Sequence, residues 1–573
     1  MASICGSSSV ASSNRPRRRT GTAGLIAVVI ATAATLAAVG PVPAGLRFFA
    51  DDPLWVDDDR VMDASGVVSV EDANSYDFVV NTFSTPGERR DVQALNVNTL
   101  DEVPDSSWFT NRIGRQAMST EALVRGPDRT VPVSLDGWVV SAGKSTGVQP
   151  GFRMIDPQGQ LYQVEFDPPS NPEMATGAEM IGTAFYHAFG YNVVEVYLAE
   201  LNADGLQISD KATQWDARAG RRRPFLRRDL NNVLLRGARL KNGNYRVLVS
   251  RFAEGKPAGN FRYYGTRPDD PNDVVAHEHR RELRAARVFG AWLNHDDSRG
   301  VNSLDMLVED GSRRFVKHYM FDFGSILGSG TVYSQRHRPG NEYILEWGPG
   351  WATLFTLGLY TRPWMHIDYP DAPRAVGRIE GDAFDAERWK PEYPNPAFAN
   401  MRADDAFWAA RIIAKFDAAA VRAIVEKARF TDPRATDYLT ETLMKRREKV
   451  LRQWLTTVNP LVDFALSEAG ELSFSNAAVD AGVATPARGY TVQWARFDNA
   501  TGQATPAGAA AESAQMRVTA PAELVSKARD GDFLEVRVAA SHGDHSSWAR
   551  PVTAHFRRAA NRWELVGATR LPK

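Results

Sequence analysis

The sequence predicts an α+β fold, with an N-terminal extension ahead of it and a small β-sandwich behind. Three observations lead there. Strand and helix signals alternate between about residues 130 and 265, and helical patterns dominate from about 275 to 460. The last hundred or so residues turn rich in Ala, Gly, Thr and Ser, with recurrent strand-like runs. A chain of 573 residues is too long for one ordinary core, so two or three domains are expected. The expected segments are 1–45, 46–129, 130–265, 266–460 and 461–573. The formal net charge of −1 offers no basic field for nucleic acid and no acidic excess of a disordered tail.

Arg15, Arg17, Arg18 and Arg19 precede an apolar run, Ala23–Val39, and small residues and prolines follow it. That order is the pattern of an export signal, cleaved or retained as a membrane anchor. The run is slightly short of the ~20 residues that span a bilayer. The expected location is therefore exported, extracytoplasmic or periplasmic, with membrane association through the N-terminus. Cys5 lies before the run, so a processed chain has no disulfide, thiolate metal site or cysteine nucleophile. Residues 46–115 are rich in acids and aromatics, with one short helical stretch near Asp72–Thr82, and read as an extension wrapping the domain behind it. Asp57–Asp59 lacks calcium-loop spacing and reads as a solvated acidic turn.

The elements come in order along the chain. TVPVSLDGWVVS is a strand by its β-branched alternation, and GFRMIDPQGQLYQVEF is a hairpin turning at Asp156-Pro157-Gln158-Gly159. NPEMATGAEMIGTAFYHAFG is a helix with Asn171 as N-cap, Pro172 at its first position and Gly190 beyond its end. YNVVEVYLAEL and YRVLVSRFAEG are strands, and the run Arg221–Pro224 reads as a solvated loop. HEHRRELRAARVFGAWL is a helix with Leu283, Val288, Ala291 and Trp292 as apolar positions. SLDMLVED and RRFVKHYMFDFG are strands flanking a Glu-Asp-Gly turn. Three amphipathic helices run from DDAFWAARIIAKF to the break at Asn459-Pro460. YTVQWARF, QMRVTA, FLEVRVAA, VTAHFRR and RWELVGA then supply the strands of the terminal sandwich.

Two motifs fail on inspection. Gly143–Gly147, GKSTG, ends like a phosphate-binding P-loop, but Trp138 stands where the first glycine belongs, and the stretch lies between two strands. His277-Glu278-His279 is not a zinc-protease helix, because Arg281 occupies the second histidine's place. A third pattern holds together. Asp297 and Asn302 stand five apart in NHDDSRGVNSLD, a two-strand hairpin comes after them, and Asp322-Phe323-Gly324 comes next. Such spacing lets an acid face an acceptor hydroxyl while an amide oxygen and a second acid share a divalent ion. The ordinary alternative is that Asp297 caps a turn and Asp322 pairs with an arginine such as Arg299.

LNHDDSRGVNSLDML…MFDFGS resembles the catalytic core of atypical members of the protein-kinase-like superfamily, nearest to HipA-type, CotH-type and phosphoinositide-kinase-type proteins. The chain as a whole resembles exported bacterial proteins. The resemblance implies a bilobal domain, with residues 130–265 as N-lobe and 266–460 as C-lobe. It makes Asp297 the catalytic acid, and Asn302 and Asp322 ligands of Mg²⁺ or Mn²⁺ bound with ATP or another nucleotide. The acceptor substrate stays open, and nucleic acid is not expected. Ser298-Arg299 stands where Arg-His is usual, and Glu165 takes the place of the lysine that holds phosphates. Lys144 in the glycine turn, or Arg153, is expected to supply that charge, with Glu179 or Glu173 as the pairing helix acid. If neither cation reaches the site, the resemblance implies an inactive pseudokinase serving as an envelope binding or scaffold module. A hydrolase using His295, Asp296 and Asp297 ranks last, for want of a nucleophile elbow. The glycine-punctuated loop Gly328–Trp347, with Arg336, His337 and Arg338, falls where a substrate segment would lie. Gly348–Tyr369 is aromatic and apolar and is expected mostly to pack in the core.

Overall fold

The computed structural model describes residues 47–129, 133–145 and 147–571. The export signal or anchor expected within residues 1–45 lies outside the described residues. Among the described residues, no helix is long and apolar enough to cross a membrane. The chain divides into a small unit, residues 1–47 with 499–503, and a large unit, residues 48–498 with 504–573, which carries the sheets and helices.

The chain is α+β. The extension contains α1 (Asn74–Phe83) and α2 (Thr120–Arg125). It is stitched to the domain behind it. Arg262 holds Asp72 through two bonds, of 2.6 and 2.9 Å, and Trp108 and Phe109 are buried in the main core. Asp59 is buried and accepts from the Ser107 amide at 2.8 Å and its hydroxyl at 2.6 Å, so it is not part of a solvated turn. Burial and its acidic neighbour Asp59 push Asp57 up to about 6.

Beyond the extension lies a seven-stranded sheet, made of β1 (Val139–Gly143), β2 (Gly151–Ile155), β3 (Leu161–Phe166), β4 (Val196–Leu201), β5 (Gln207–Asp216), β6 (Arg221–Pro224) and β7 (Tyr245–Arg251), in the order β4-β7-β3-β2-β1-β5-β6. The β2–β3 hairpin turns where the sequence predicts: the Asp156 carboxylate accepts from the Gln158 and Gln160 amides. The arginine run of β6 is an edge strand rather than a loop: it pairs with β5, and Arg223 forks onto Asp229 at 2.7 and 2.9 Å. One face of the sheet buries Phe152, Val164, Phe166 and Val247. The opposite face meets α3 (Met174–Phe189), whose Met180 packs on Val196 and Leu248.

α3 ends at Gly190 as predicted, with φ +130 and a phenylalanine ring, Phe109, where a Cβ would stand. Its start differs. Asn171 is not the cap; Glu173 holds the N-cap position with φ +70. The capping acceptor is Asp167, which takes the Thr176 amide at 2.9 Å and hydroxyl at 2.6 Å. The acid just after β3 therefore ties that strand directly to the helix.

β8 (Lys256–Gly259), β9 (Ser303–Asp310) and β10 (Arg313–Met320) form a second sheet in the order β10-β9-β8. Between β8 and β9 lies α5 (Arg281–Leu293), preceded in the chain by the short α4 (Arg227–Leu234). His277–His279 is a 3₁₀ turn, so α5 starts at Arg281 rather than at His277. Further on come α6 (Trp347–Phe355), α7 (Pro396–Ala399), α8 (Ala403–Ala414), α9 (Ala418–Glu426) and α10 (Pro433–Trp454). Phe185, Phe189, Trp292 and Phe416 interlock where α3, α5 and the α8–α9 junction meet. Residues 461–571 contribute two further antiparallel sheets. In one, Leu461–Leu466 pairs with Glu471–Asn476; in the other, Gly489–Asp498 pairs with Phe533–Ser541. Their buried faces join the same hydrophobic cluster as the helices.

Candidate functional site

The β9–β10 hairpin converts sequence spacing into proximity. Its register sets Met320 opposite Ser303, so the chain leaving β10 returns beside the residue that entered β9. Phe321 N–H donates to the Asn302 carbonyl at 3.4 Å. Asp322 then takes a left-handed backbone, φ +66. Few residues other than glycine hold that conformation, and aspartate tolerates it better than most. Asn302 sits at the end of a 3₁₀ turn, Gly300–Asn302. Its side-chain nitrogen donates to Asp297 twice, to the backbone carbonyl at 3.0 Å and to the carboxylate at 2.9 Å. The structure therefore brings Asp297, Asn302 and Asp322 together, and Asp322 is close enough to raise the Asp297 carboxyl.

Asp297 is enclosed. Burial pushes its carboxyl well above the ordinary carboxylate range; the paired Arg299 opposes that push, and Glu392, Asp296 and Asp322 add to it. Ser325 donates a hydroxyl to the same carboxylate at 3.3 Å, and Arg299 also reaches Glu392 at 3.3 Å. The expected alternative partner of Arg299 was Asp322; its ion pair is with Asp297. Asp296 turns elsewhere: Gln335 donates to it at 2.6 Å, and burial pushes it up to about 7. His295 is buried with its Nδ1 at 2.7 Å from the Tyr186 hydroxyl, and burial lowers it to about 3. It is a buried core histidine of low basicity, so it makes a poor base for the hydrolase alternative.

The second half of the site comes from the large sheet and α3. Glu165 lies on β3 opposite Gly151, and Arg153 lies opposite Gln163 on the same face. Lys144, from the turn after β1, forms an ion pair with Glu165 and donates to the Gln149 carbonyl at 3.3 Å. Burial raises Glu165; Lys144 lowers it, and Asp322 raises it further. Burial raises Glu179 well above its ordinary value, and Asp322 and Glu165 add to that rise, while the Phe323 and Gly324 amides oppose it. Gly324 marks the meeting point. A Cβ there would stand 3.7 Å from Gln149 Oε1, 3.7 Å from Glu179 Oε2 and 3.9 Å from Asp322 Oδ1.

Three expectations change. Lys144 pairs with the strand acid Glu165 rather than with the helix acid. Glu173 is outside the cluster, bound to the Thr431 amide at 2.8 Å. Arg153 shares the sheet face with Glu165 but lies over the Phe252 ring at 5.3 Å. Its charged neighbours are Arg222 and Glu71 rather than the cluster acids. Gln149, Ser325 and Glu392 belong to the site and were not foreseen. Gln149 and Ser325 are close in sequence to residues singled out, but Glu392 is distant and carries no local signal.

The donor set suits a divalent cation only in part. Asn302 spends its nitrogen on Asp297, which leaves its carbonyl oxygen as the cation donor. Among the described residues, no group of three or more His, Cys, Asp or Glu is arranged to hold a metal. One carboxylate and one amide oxygen are too few for an all-protein cage, but they match an ion that keeps waters and binds through phosphate.

No family model matches this chain, and no curated protein matches it. Among solved structures, one from Helicobacter pylori, the proinflammatory kinase CtkA, aligns with 56% of this chain and 95% of its own, at 13% identity and a TM-score of 0.28. A likeness that weak carries no argument, and the functional reading rests on the geometry of the site.

Proposed function

We propose that the chain is an atypical kinase-like protein carrying out metal-dependent phosphoryl or nucleotidyl transfer at an extracytoplasmic membrane face. In this reading the sheet with α3 forms the N-lobe, α5 to α10 the C-lobe, and residues 461–573 a β-sandwich appended to them. The observation that carries it is a surplus of carboxylate around Glu179, which is buried, with Glu165 and Asp297 half-buried and Asp322 exposed at its edge. Asp322 is near enough to raise Glu165, Glu179 and Asp297, and among the described residues Lys144 pairs with Glu165 and Arg299 with Asp297. Buried charges that stay unpaired are costly, so such a cluster favours a cation.

Asn302 and Asp322 would hold Mg²⁺ or Mn²⁺ together with ATP or another nucleotide, and that ion would neutralise phosphate charge. In phosphoryl transfer, the acceptor hydroxyl oxygen bonds to the terminal phosphorus. The bond from that phosphorus to its bridging oxygen breaks, the electron pair leaves on the diphosphate, and the hydroxyl proton passes to Asp297. Asn302 and Ser325 donate to that carboxylate and fix its orientation for the acceptance. Lys144 reaches the phosphates only by leaving Glu165 or by sharing it.

A thermal-shift screen of nucleotides with and without Mg²⁺ or Mn²⁺ tests this. The expected result is a rise in Tm that needs nucleotide and ion together and disappears in Asp322→Ala. No shift with any pair would defeat it. The Lys144–Glu165 ion pair favours a second reading, an inactive pseudokinase used as a binding or scaffold module. That reading predicts a nucleotide response, if any, that survives Lys144→Met.

A further inference from the structure

The segment expected to fill the core does the opposite. α6 has no buried residue. Trp347, Trp351, Leu354 and Phe355 recur at i, i+4, i+7 and i+8, so they share one helix face, and all four are exposed. Leu357 and Leu359 continue the patch at 92% and 85% exposure. The small residues Gly348, Ala352 and Thr353 take the other positions. The amphipathic helix is turned inside out, with the protein body standing where its polar face would be.

A second element extends the patch. Val79 and Phe83 of α1 are exposed, and Phe83 meets Trp347 edge-on at 6.2 Å. The surface is thus built from two helices far apart in sequence. From Trp347 to Thr361 there is no charged residue. The flanking charges are paired: Lys390 with Glu346 at 2.5 Å, and Arg362 with Glu342 at 2.8 Å.

We propose that this patch seats in a lipid bilayer surface, with α6 lying in the interface plane. Tryptophans beside leucine and phenylalanine are the side chains that favour that depth. A long uncharged stretch with a neutralised rim fits the apolar–headgroup boundary. The proposal rests on the reading of Ala23–Val39 as an anchor, because a chain held by that run has lipid as its nearest apolar phase. Paired rim charges imply attachment that does not depend on anionic lipid.

The test uses the full chain with Cys5→Ser and Phe355→Cys, so that an environment-sensitive fluorophore sits on the patch alone. A control places it at Arg388, an exposed position outside the patch. With phosphatidylcholine vesicles, the label at 355 is expected to shift to the blue and to be quenched by brominated acyl chains, while the label at 388 is not. Adding phosphatidylglycerol should change this little. Vesicle-bound protein whose label at 355 stays in water overturns the proposal and leaves the anchor reading standing. Adding Trp351→Glu and Leu354→Glu to the chain labelled at 355 should return the label to water while co-flotation through the anchor persists, and an unchanged blue shift overturns the proposal. A blue shift that grows with protein concentration without vesicles means a second copy covers the patch, and it also overturns the proposal.

Discussion

The base of α5 and the cluster at Gly324 both gather several carboxylates, and they balance them differently. At the base of α5, Arg281 is fully buried and meets Asp101 at 2.8 Å, Asp405 at 3.0 Å and Asp404 at 3.4 Å. Arg284 adds a bond to Asp405 at 3.4 Å and one to the Glu278 carbonyl at 2.8 Å. Each acid there has a fork-shaped cation to answer it. At Gly324, Asp322 raises Glu165, Glu179 and Asp297, and one lysine and one arginine pair with two of these four carboxylates. The first arrangement joins the extension, α5 and α8 into one body. The second leaves negative charge that a bound cation would relieve. The contrast separates charge answered within the protein from charge that, in the proposed reading, a ligand answers.

The strongest way to break the comparison is at its balanced end. Arg281→Met should destabilise the fold by about 3–5 kcal/mol, because it strands three acids in the interior. Urea unfolding measures this, and a loss below about 1 kcal/mol would mean the network is not structural. At the other end, Asp322→Ala should reduce transfer by about 10²–10³-fold, as loss of one charge-stabilising group does. It should leave urea stability unchanged or higher, since it removes repulsion. Glu179→Gln sharpens the point: in buffer without divalent ions it should stabilise by about 1 kcal/mol, by deleting a buried ionisable group. Equal destabilisation would show that Glu179 is already balanced.

The pH dependence carries the same contrast. Asp296 is raised from 3.8 to about 7, so the folded chain keeps a proton that the unfolded chain has released. Its stabilising contribution is full below pH 3.8 and is lost as pH rises toward 7. Glu165, Glu179 and Asp297 are raised as well, so each loses stability with rising pH in the same sense. Asp296→Asn should flatten the Tm slope across that window. The smallest effect belongs to Arg153→Ala, whose side chain stacks on Phe252 away from the acids. It should change stability by less than about 0.5 kcal/mol and leave the nucleotide response alone.

What the sequence disclosed came from short-range rules. The Asp156 turn, the Gly190 helix end and the β9–β10 hairpin are each specified by residues in place, and the hairpin register alone carries Asp322 back to Asn302. Interactions across long chain separations were not legible. Glu392 reaches Arg299 from a distant segment, and Asp167 caps α3 in place of the adjacent Asn171. Lys144 of the glycine turn pairs with Glu165, a partner that depended on which strand acid faced it. α6 misled because an apolar stripe predicts burial against something, and periodicity does not say that the something is protein.

The most direct test of the cluster's role is a Mn²⁺ titration followed by electron paramagnetic resonance, with and without an adenine nucleotide. One Mn²⁺ per chain should bind only when the nucleotide is present, and Asp322→Asn should abolish that binding. If Mn²⁺ stays free with the nucleotide present, or binds Asp322→Asn equally well, the carboxylates at Gly324 are not a ligand site.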